Sequence, residues 1–308
     1  MVRAEIIFDG EHVQLIHYKR DSQFSLLTFD IMHAKANGRS AFAGKLSEKL
    51  GLNLIGVVPK YPCWYPGEDM KQIAGMCRAL MTGETIAYGA SMGGYGALRW
   101  GKEFGASHAL ACSPQISIDP AYTGSADRRY SKFFQPDRHL DMQVEARHMP
   151  ESTLVLYDPR FGPDRYHAHR FLEMGVGRAI RAHHMLHGTA ACIAGSQNAL
   201  RIFDNLMAGD FAAIRRAILA QRRHIPKFYL NMAGVALDLR RASLSMSLAG
   251  MARQQDPIGY HLHLGKHYMV LADYKASAFN YGKVLELRPG HRIARLRLHA
   301  AQLRQAES

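Results

Sequence analysis

The chain has 308 residues, of which 47% are hydrophobic, and it carries a formal net charge of +13. This composition excludes a disordered protein, and no apolar run approaches the ~20 residues that cross a bilayer as a helix. Arg3 lies where the apolar stretch of a signal peptide would begin, so the sequence predicts a cytoplasmic protein. The four cysteines are widely spaced, which is typical of reduced core thiols rather than of a zinc site or a disulfide framework: Cys63, Cys77, Cys112 and Cys192.

The positive charge is unevenly distributed along the chain. Residues 1–200 contain 22 Lys and Arg against 19 Asp and Glu, whereas residues 201–308 contain 17 against 7. Concentrated positive charge attracts acidic partners, so we expect the last third to form a separate module that contacts an acidic protein or a membrane surface. No nucleic-acid-binding module or aromatic platform is recognisable, and nucleic acid is therefore not expected as a partner.

Short β-rich runs alternate with helical stretches over the first two hundred residues. The runs at 5–8 and 12–17 flank the turn signal Asp9-Gly10 and predict a hairpin. Further strands are predicted at 24–29, 53–58, 85–88, 108–112, 153–157 and 178–184, with helices at 40–50, 69–81 and 94–104. This alternation predicts an α/β domain over residues 1–205, built on a mostly parallel sheet of about eight strands.

The sequence of residues 206–308 is typical of helices throughout. Three prolines recur at intervals of 31 and 32 residues: Pro226, Pro257 and Pro289. A period in the low thirties indicates stacked helical hairpins, and the last interval resembles a tetratricopeptide repeat. There Gly265 would be the small residue where two helices touch and Pro289 would end the second helix, whereas Ser277 and Val284 stand where alanine is usual. An ordinary helical extension is the alternative.

The motif that carries chemistry is Gly89-Ala90-Ser91-Met92-Gly93, which follows a predicted strand and precedes a helix rich in small residues. A turn that exposes a serine between a strand and a helix strains its backbone, and glycines two positions before and after it avoid collisions. Unpaired N–H groups at the start of the helix favour negative charge on a substrate oxygen. The motif therefore predicts Ser91 as a nucleophile, against the alternative of a structural serine in a tight turn.

Residues 91–98, Ser-Met-Gly-Gly-Tyr-Gly-Ala-Leu, resemble the nucleophile elbow of the α/β-hydrolase fold superfamily, especially bacterial carboxylesterases of the esterase D and feruloyl-esterase type. The resemblance covers residues 1 to about 205 and rests elsewhere on the order of the elements. A further likeness to bacterial hydrolase-like domains that accompany surface-glycan machinery implies a glycan or small-molecule ester as substrate. No phosphate-binding glycine motif is present, so no nucleotide cofactor is expected. His263 and His267 have the spacing of metal ligands on a helix, but no carboxylate or cysteine is positioned to complete a site, and no metal is expected.

The superfamily's triad appears in the order serine, acid, histidine. The resemblance therefore implies an acid in the loop after the strand at 153–157, where Asp164 and Asp158 both qualify. We favour Asp164, just ahead of a predicted helix, because Asp158 lies at the strand tip. Either aspartate could instead serve as a turn or helix cap.

The histidine should follow the last strand. Of the three histidines in this region, His183 and His184 fall inside the predicted strand 178–184, where their side chains would point into the flanking layers. His187 lies in the loop beside Gly188, and we therefore favour it as the base that takes the serine proton and returns it to the leaving group.

The resemblance also implies an oxyanion hole made of two backbone N–H groups. One would belong to Met92, directly after the nucleophile, and the other to Asp30 or Ile31 in the loop after the third strand. The segment 117–150 is expected to cap the site. Its interleaved basic and aromatic residues suit an anionic or sugar-bearing substrate, and a solvated polar loop would have the same composition.

The sequence thus predicts a carboxylic-ester hydrolase in which Ser91 attacks, His187 transfers the proton and Asp164 orients His187. Two alternatives stay open. The same triad would transfer the acyl group to a sugar or another hydroxyl when water is excluded. Alternatively, the chain would be a non-catalytic interaction protein that acts through its helical repeats.

Overall fold

The computed structural model describes residues 4–307. By its internal contacts the chain divides into two compact units, the first ending at Leu219 and the second beginning at Ala220. The domain boundary predicted between residues 205 and 206 stays a prediction. Among the described residues, no helix is both long enough and apolar enough to span a membrane.

A single sheet of eight strands, counted within residues 4–307, organises the first unit. The strands are β1 (Glu5–Asp9), β2 (Val13–Tyr18), β3 (Phe24–Phe29), β4 (Asn53–Pro59), β5 (Glu84–Ala90), β6 (His108–Cys112), β7 (Ser152–Tyr157) and β8 (Arg178–Arg181). Their order is β1-β2-β4-β3-β5-β6-β7-β8, with β2 antiparallel to both neighbours and β3 to β8 parallel. This is the α/β-hydrolase fold, and the predicted fold class is confirmed.

The helices in this part of the chain are α1 (Gly44–Leu50), α2 (Gly67–Leu80), α3 (Met92–Trp100), α4 (Pro120–Thr123), α5 (Gly162–Glu173), α6 (Ser196–Met207) and α7 (Phe211–Arg222). Of these, α1, α2, α3 and α5 pack against strands of the sheet. Every residue of β3 and β4 is buried, which explains why these strands are apolar along their whole length. Helix α1 begins at Gly44 rather than at residue 40, because the Asn37 side chain forms a turn with the Arg39 and Ser40 amides and Ala43 has a φ of +61°, which is not helical.

The second unit is helical, with α8 (Pro226–Asp238), α9 (Ala242–Gly250), α10 (Pro257–Val270), α11 (Tyr274–Leu287) and α12 (Arg292–Glu307). Helices α10 and α11 touch at Gly265, where a β carbon would lie 2.6 Å from ring carbons of Tyr281. Ser277 Oγ donates a hydrogen bond of 2.8 Å to the Gly265 carbonyl. A small residue is therefore needed where the helices meet. The assignment of this hairpin to the tetratricopeptide repeats stays a prediction.

Candidate active site

The turn between β5 and α3 presents Ser91 at the carboxyl end of the sheet. Ser91 has a φ of +53°, a conformation that costs a non-glycine residue free energy and persists only where its surroundings enforce it. A β carbon at Gly89 would lie 2.2 Å from the Gly93 carbonyl oxygen, and one at Gly93 would lie 2.1 Å from that of Phe29. The two glycines of the motif are thus required by close approach of the backbone, as the sequence predicts.

His187 contacts Ser91, and Asp164 contacts His187 from a different element. His187, in the loop after β8, places Nε2 2.9 Å from Ser91 Oγ. Its Nδ1 lies 2.8 and 2.9 Å from the two carboxylate oxygens of Asp164, which is buried in the first turn of α5. The structure brings together the three side chains that the sequence predicts as nucleophile, base and acid.

Asp158 occupies a different place from Asp164 although both follow β7. It is fully buried, and its carboxylate accepts hydrogen bonds from the backbone N–H groups of Arg160 at 2.9 Å and Leu186 at 2.7 Å. The second of these bonds holds the residue next to His187. Asp158 is therefore placed to fix the path of the histidine loop, while Asp164 contacts the imidazole.

The last strand is shorter than predicted, because β8 ends at Arg181 and His183 and His184 lie in the turn that follows. His184 has a φ of +65° and Leu186 a φ of +50°, so the chain reverses here instead of continuing the ladder. The expectation that His183 and His184 belong to the strand is wrong. This reversal carries His187 to Ser91.

The predicted oxyanion donors differ in what they already bind. Met92 is the first residue of α3, where a backbone N–H has no partner within the helix. The Asp30 amide donates to the Val57 carbonyl at 3.2 Å, extending the ladder between β3 and β4. Of the two residues predicted for the second donor, the Asp30 N–H is therefore occupied by Val57, and the Ile31 N–H is hydrogen-bonded to the Asp30 carboxyl group, so the structure selects neither.

The Asp30 carboxyl group lies beneath this loop. It is buried and accepts a hydrogen bond of 2.7 Å from the Phe42 amide. Burial raises the pKa of Asp30 to about 6, although hydrogen bonds from the Phe42 and Ile31 amides act to lower it. Asp30 thus titrates near neutral pH and is coupled to the loop that carries the predicted oxyanion donor.

Gln115, a residue that the sequence reasoning missed, also reaches the serine. It is fully buried just beyond β6, with Nε2 3.5 Å from Ser91 Oγ and 3.4 Å from the Ser113 carbonyl. Trp64 Nε1 lies 3.3 Å from Gln115 Oε1, and an indole N–H can only donate. Trp64 therefore fixes the orientation of the amide and directs its N–H groups toward Ser91. The position of Gln115 after a central parallel strand is the sequence signal that could have identified it.

The segment between β6 and β7 lies over the site and contributes Arg129. Its guanidinium pairs with both oxygens of Asp127, at 2.9 and 2.7 Å, and with Oδ1 of Asp164 at 3.1 Å. It lies over the rings of Tyr130 and Phe161, 4.9 and 5.0 Å from their centroids. The charge of this cap residue is therefore compensated within the protein.

The Asp127 carboxylate, which binds Arg129, has a second partner in His167. His167 Nε2 lies 3.1 Å from this carboxylate, and His167 Nδ1 accepts a hydrogen bond from the Ile116 amide. Burial raises the pKa of Asp127, but hydrogen bonds from His167 and Arg129 outweigh burial and bring the pKa below its usual range. The network consequently holds Asp127 as a carboxylate at neutral pH.

A second hydroxyl group reaches the base from the cap. The Tyr130 hydroxyl lies 3.2 Å from His187 Nε2, the same atom that contacts Ser91. The Tyr130 ring packs on that of Trp64, with 5.1 Å between ring centroids, and Phe133 packs on Trp64 at 5.5 Å. An aromatic cluster thus borders the side of the base that faces the serine.

The chain is similar in structure to several solved proteins. It is 14% identical to the capsule O-acetyltransferase of Neisseria meningitidis serogroup A, with 56% of this chain and 85% of that chain covered and a TM-score of 0.42. It is 15% identical to a thermophilic esterase of Thermogutta terrifontis, with 68% and 92% covered and a TM-score of 0.43. It is 14% identical to a serine hydrolase without a lid from Xanthomonas campestris, with 70% of this chain and 95% of that chain covered and a TM-score of 0.41. No protein-family model and no curated protein matches the chain.

Proposed function

We propose that the first unit is a serine-dependent hydrolase of carboxylic esters. The observation that carries this proposal is the continuous hydrogen-bonded path from Ser91 Oγ through His187 to Asp164, with contacts of 2.9 and 2.8 Å. Such a path begins at a strained serine and ends at a buried carboxylate, which is the arrangement that activates a hydroxyl nucleophile.

The proposed reaction begins when Ser91 Oγ attacks the ester carbonyl and passes its proton to His187 Nε2. Asp164 orients the imidazole and stabilises the imidazolium that forms. The Met92 N–H stabilises the negative charge on the carbonyl oxygen, and a second backbone N–H would come from the loop of Asp30 and Ile31. His187 then protonates the departing alcohol, and a water molecule, activated by the same nitrogen, releases the acyl group from Ser91.

Transfer of the acyl group to a hydroxyl acceptor is the second candidate. It is favoured by the aromatic cluster of Trp64, Tyr130 and Phe133 beside the base, since aromatic rings offer a surface on which an organic acceptor can pack. A glycan or small-molecule hydroxyl would then take the place of water at His187. Product analysis with a p-nitrophenyl ester as donor and a sugar as acceptor separates the two candidates by the ratio of ester to free acid formed.

The basic last third of the chain is proposed to contact an acidic protein. Residues 201–308 contain 17 Lys and Arg against 7 Asp and Glu, so an acidic surface is the expected counterpart. Binding of a polyglutamate peptide to the whole protein should weaken steeply with added salt. Salt-independent binding, or none at low salt, would contradict this part of the proposal.

The hydrolase proposal is tested by turnover of short-chain p-nitrophenyl esters. The wild type should release p-nitrophenol with saturation kinetics, and Ser91→Ala should reduce kcat by roughly 10⁴-fold or more while remaining folded. A folded wild type without turnover would instead support a non-catalytic interaction protein. Equal turnover by wild type and Ser91→Ala would exclude Ser91 as the nucleophile.

A further inference from the structure

Two hydroxyl groups compete for one nitrogen in the resting site. His187 Nε2 lies 2.9 Å from Ser91 Oγ and 3.2 Å from the Tyr130 hydroxyl. Because His187 Nδ1 faces the Asp164 carboxylate, Nδ1 carries the proton and Nε2 is an acceptor with a single lone pair. Both hydroxyls can therefore contact Nε2 only as hydrogen-bond donors. The contact between Ser91 and Nε2 does not depend on the second donor, Tyr130.

The Tyr130 hydroxyl is held in this position by its ring. The ring packs in a tilted arrangement against that of Trp64, which is itself fully buried and hydrogen-bonded to Gln115. The Arg129 guanidinium lies 4.9 Å from the ring centroid and is anchored by Asp127. The half-buried Tyr130 ring is thus held by contacts with both Trp64 and Arg129, and these contacts keep its hydroxyl near the base.

We propose that Tyr130 is a further catalytic residue, whose hydroxyl donates a hydrogen bond to the departing oxygen of the ester. The inference rests on the proposed function, in which Nε2 receives the Ser91 proton. Once protonated, Nε2 no longer accepts, and the Tyr130 O–H becomes free to turn to another acceptor. The leaving oxygen must come within about 3 Å of Nε2 to take its proton, which places it beside Tyr130.

The bonds balance without a change in the protonation of Tyr130. The bond from the acyl carbon to the leaving oxygen breaks, and its electron pair stays on that oxygen. The oxygen takes the proton from His187 Nε2, and the oxyanion returns its electrons to the carbonyl. Tyr130 keeps its own proton throughout and stabilises the negative charge that develops on the leaving oxygen.

This role points to a class of substrate. A hydrogen bond to the leaving oxygen assists most when the alcohol is a poor leaving group, because the oxygen then carries the most charge in the transition state. A sulfur leaving group accepts hydrogen bonds weakly and would gain little. The geometry therefore points to esters of unactivated alcohols, such as sugar hydroxyls, rather than to thioesters or aryl esters.

The test compares kcat/KM for wild type and Tyr130→Phe over acetate esters of p-nitrophenol, phenol, p-methoxyphenol and trifluoroethanol. We expect a loss of about tenfold with the trifluoroethyl ester and less than about twofold with the p-nitrophenyl ester, so that the rate of the variant depends more steeply on the leaving group. Tyr166→Phe is the matched control, since the Tyr166 hydroxyl donates to the Tyr122 carbonyl at 2.8 Å. That variant should leave the dependence unchanged.

The possible outcomes separate this inference from the proposed function. A Tyr130→Phe variant that melts like the wild type, and whose rates fall equally for all four esters or not at all, overturns the role of Tyr130 while Ser91→Ala remains inactive. A wild type without turnover, or an active Ser91→Ala, overturns the proposed function and this inference with it. A steeper dependence confined to Tyr130→Phe supports both.

Discussion

Arg129 donates a hydrogen bond from Nη2 to Oδ1 of Asp164, at 3.1 Å, while the same carboxylate contacts His187 Nδ1. The acid of the proposed triad is therefore shared between the base and the segment that covers the site. Asp127 accepts hydrogen bonds from Nε and from the same Nη2 of the guanidinium. The position of the cap is thus coupled, through two ion pairs, to the orientation of the imidazole.

Removal of this ion-pair network should reduce turnover. Arg129→Ala is expected to lower kcat about tenfold or more. Asp164 would lose a hydrogen bond from a charged donor, and the segment over the site would lose its ion pair with Asp164. Asp127→Asn should have a smaller effect of the same kind. Because both residues belong to one network, the effects on kcat in the double variant should be less than additive. Additive losses in ester turnover would show that the two side chains act separately.

The two aspartates after β7 should respond differently to the same substitution. Asp164→Asn is expected to lower kcat by roughly 10³-fold or more, since an amide does not hold the imidazole in the required tautomer. Asp158→Asn loses charge on a group bonded to two backbone amides, and it should lower the free energy of unfolding by about 1–3 kcal/mol with a smaller effect on kcat. Kinetics and denaturant unfolding of both variants measure the contrast, and its reversal would make Asp158 the acid.

The elbow glycines should be intolerant of a single methyl group. Gly89→Ala places a β carbon 2.2 Å from a backbone oxygen, so we expect a loss of several kcal/mol in unfolding free energy or failure to fold. Gly75→Ala is the matched control, because no atom lies within 4 Å of a β carbon at that exposed position in α2. Alanine should stabilise α2 by roughly 0.5–1 kcal/mol. Equal melting temperatures for the two variants would contradict the account of the turn.

Asp30 should make stability depend on pH. Its pKa is raised from 3.8 to about 6 in the folded chain, so the folded state binds the proton more tightly than the unfolded state. This contribution is fully present below about pH 4 and is lost as the pH rises through 6, a change of up to about 3 kcal/mol. Asp30→Asn lacks the titrating group, so its stability relative to the wild type should increase between pH 4 and pH 7. Parallel pH profiles of unfolding free energy would refute the assignment.

Close contact between α10 and α11 can be tested by a similar pair of substitutions. Gly265→Ala would place a β carbon 2.6 Å from the Tyr281 ring and should destabilise the second unit by about 1–3 kcal/mol. Gly282→Ala meets nothing within 4 Å and should be neutral or stabilising. Thermal unfolding of the two variants measures both changes in stability, and an unchanged melting temperature for Gly265→Ala would contradict the contact.

The sequence predicts most of the fold because strand and helix periods are local signals. Ser91, Asp164 and His187 could be predicted because a glycine motif fixes the first and chain order places the others at neighbouring strand ends. Gln115, Arg129 and Tyr130 could not, since the path of an irregular segment depends on tertiary contacts. The early end of β8 is not predictable for a related reason, because the positive φ of His184 is imposed by its surroundings.

The central claim is that Ser91 is an activated nucleophile, and an active-site-directed fluorophosphonate probe tests it most directly. The wild type should be labelled, peptide mass spectrometry should locate the phosphonyl group on Ser91, and Ser91→Ala should remain unlabelled. His187→Ala should react far more slowly because the serine loses its base. A folded wild type that stays unlabelled, or a label that persists in Ser91→Ala, would contradict the catalytic account.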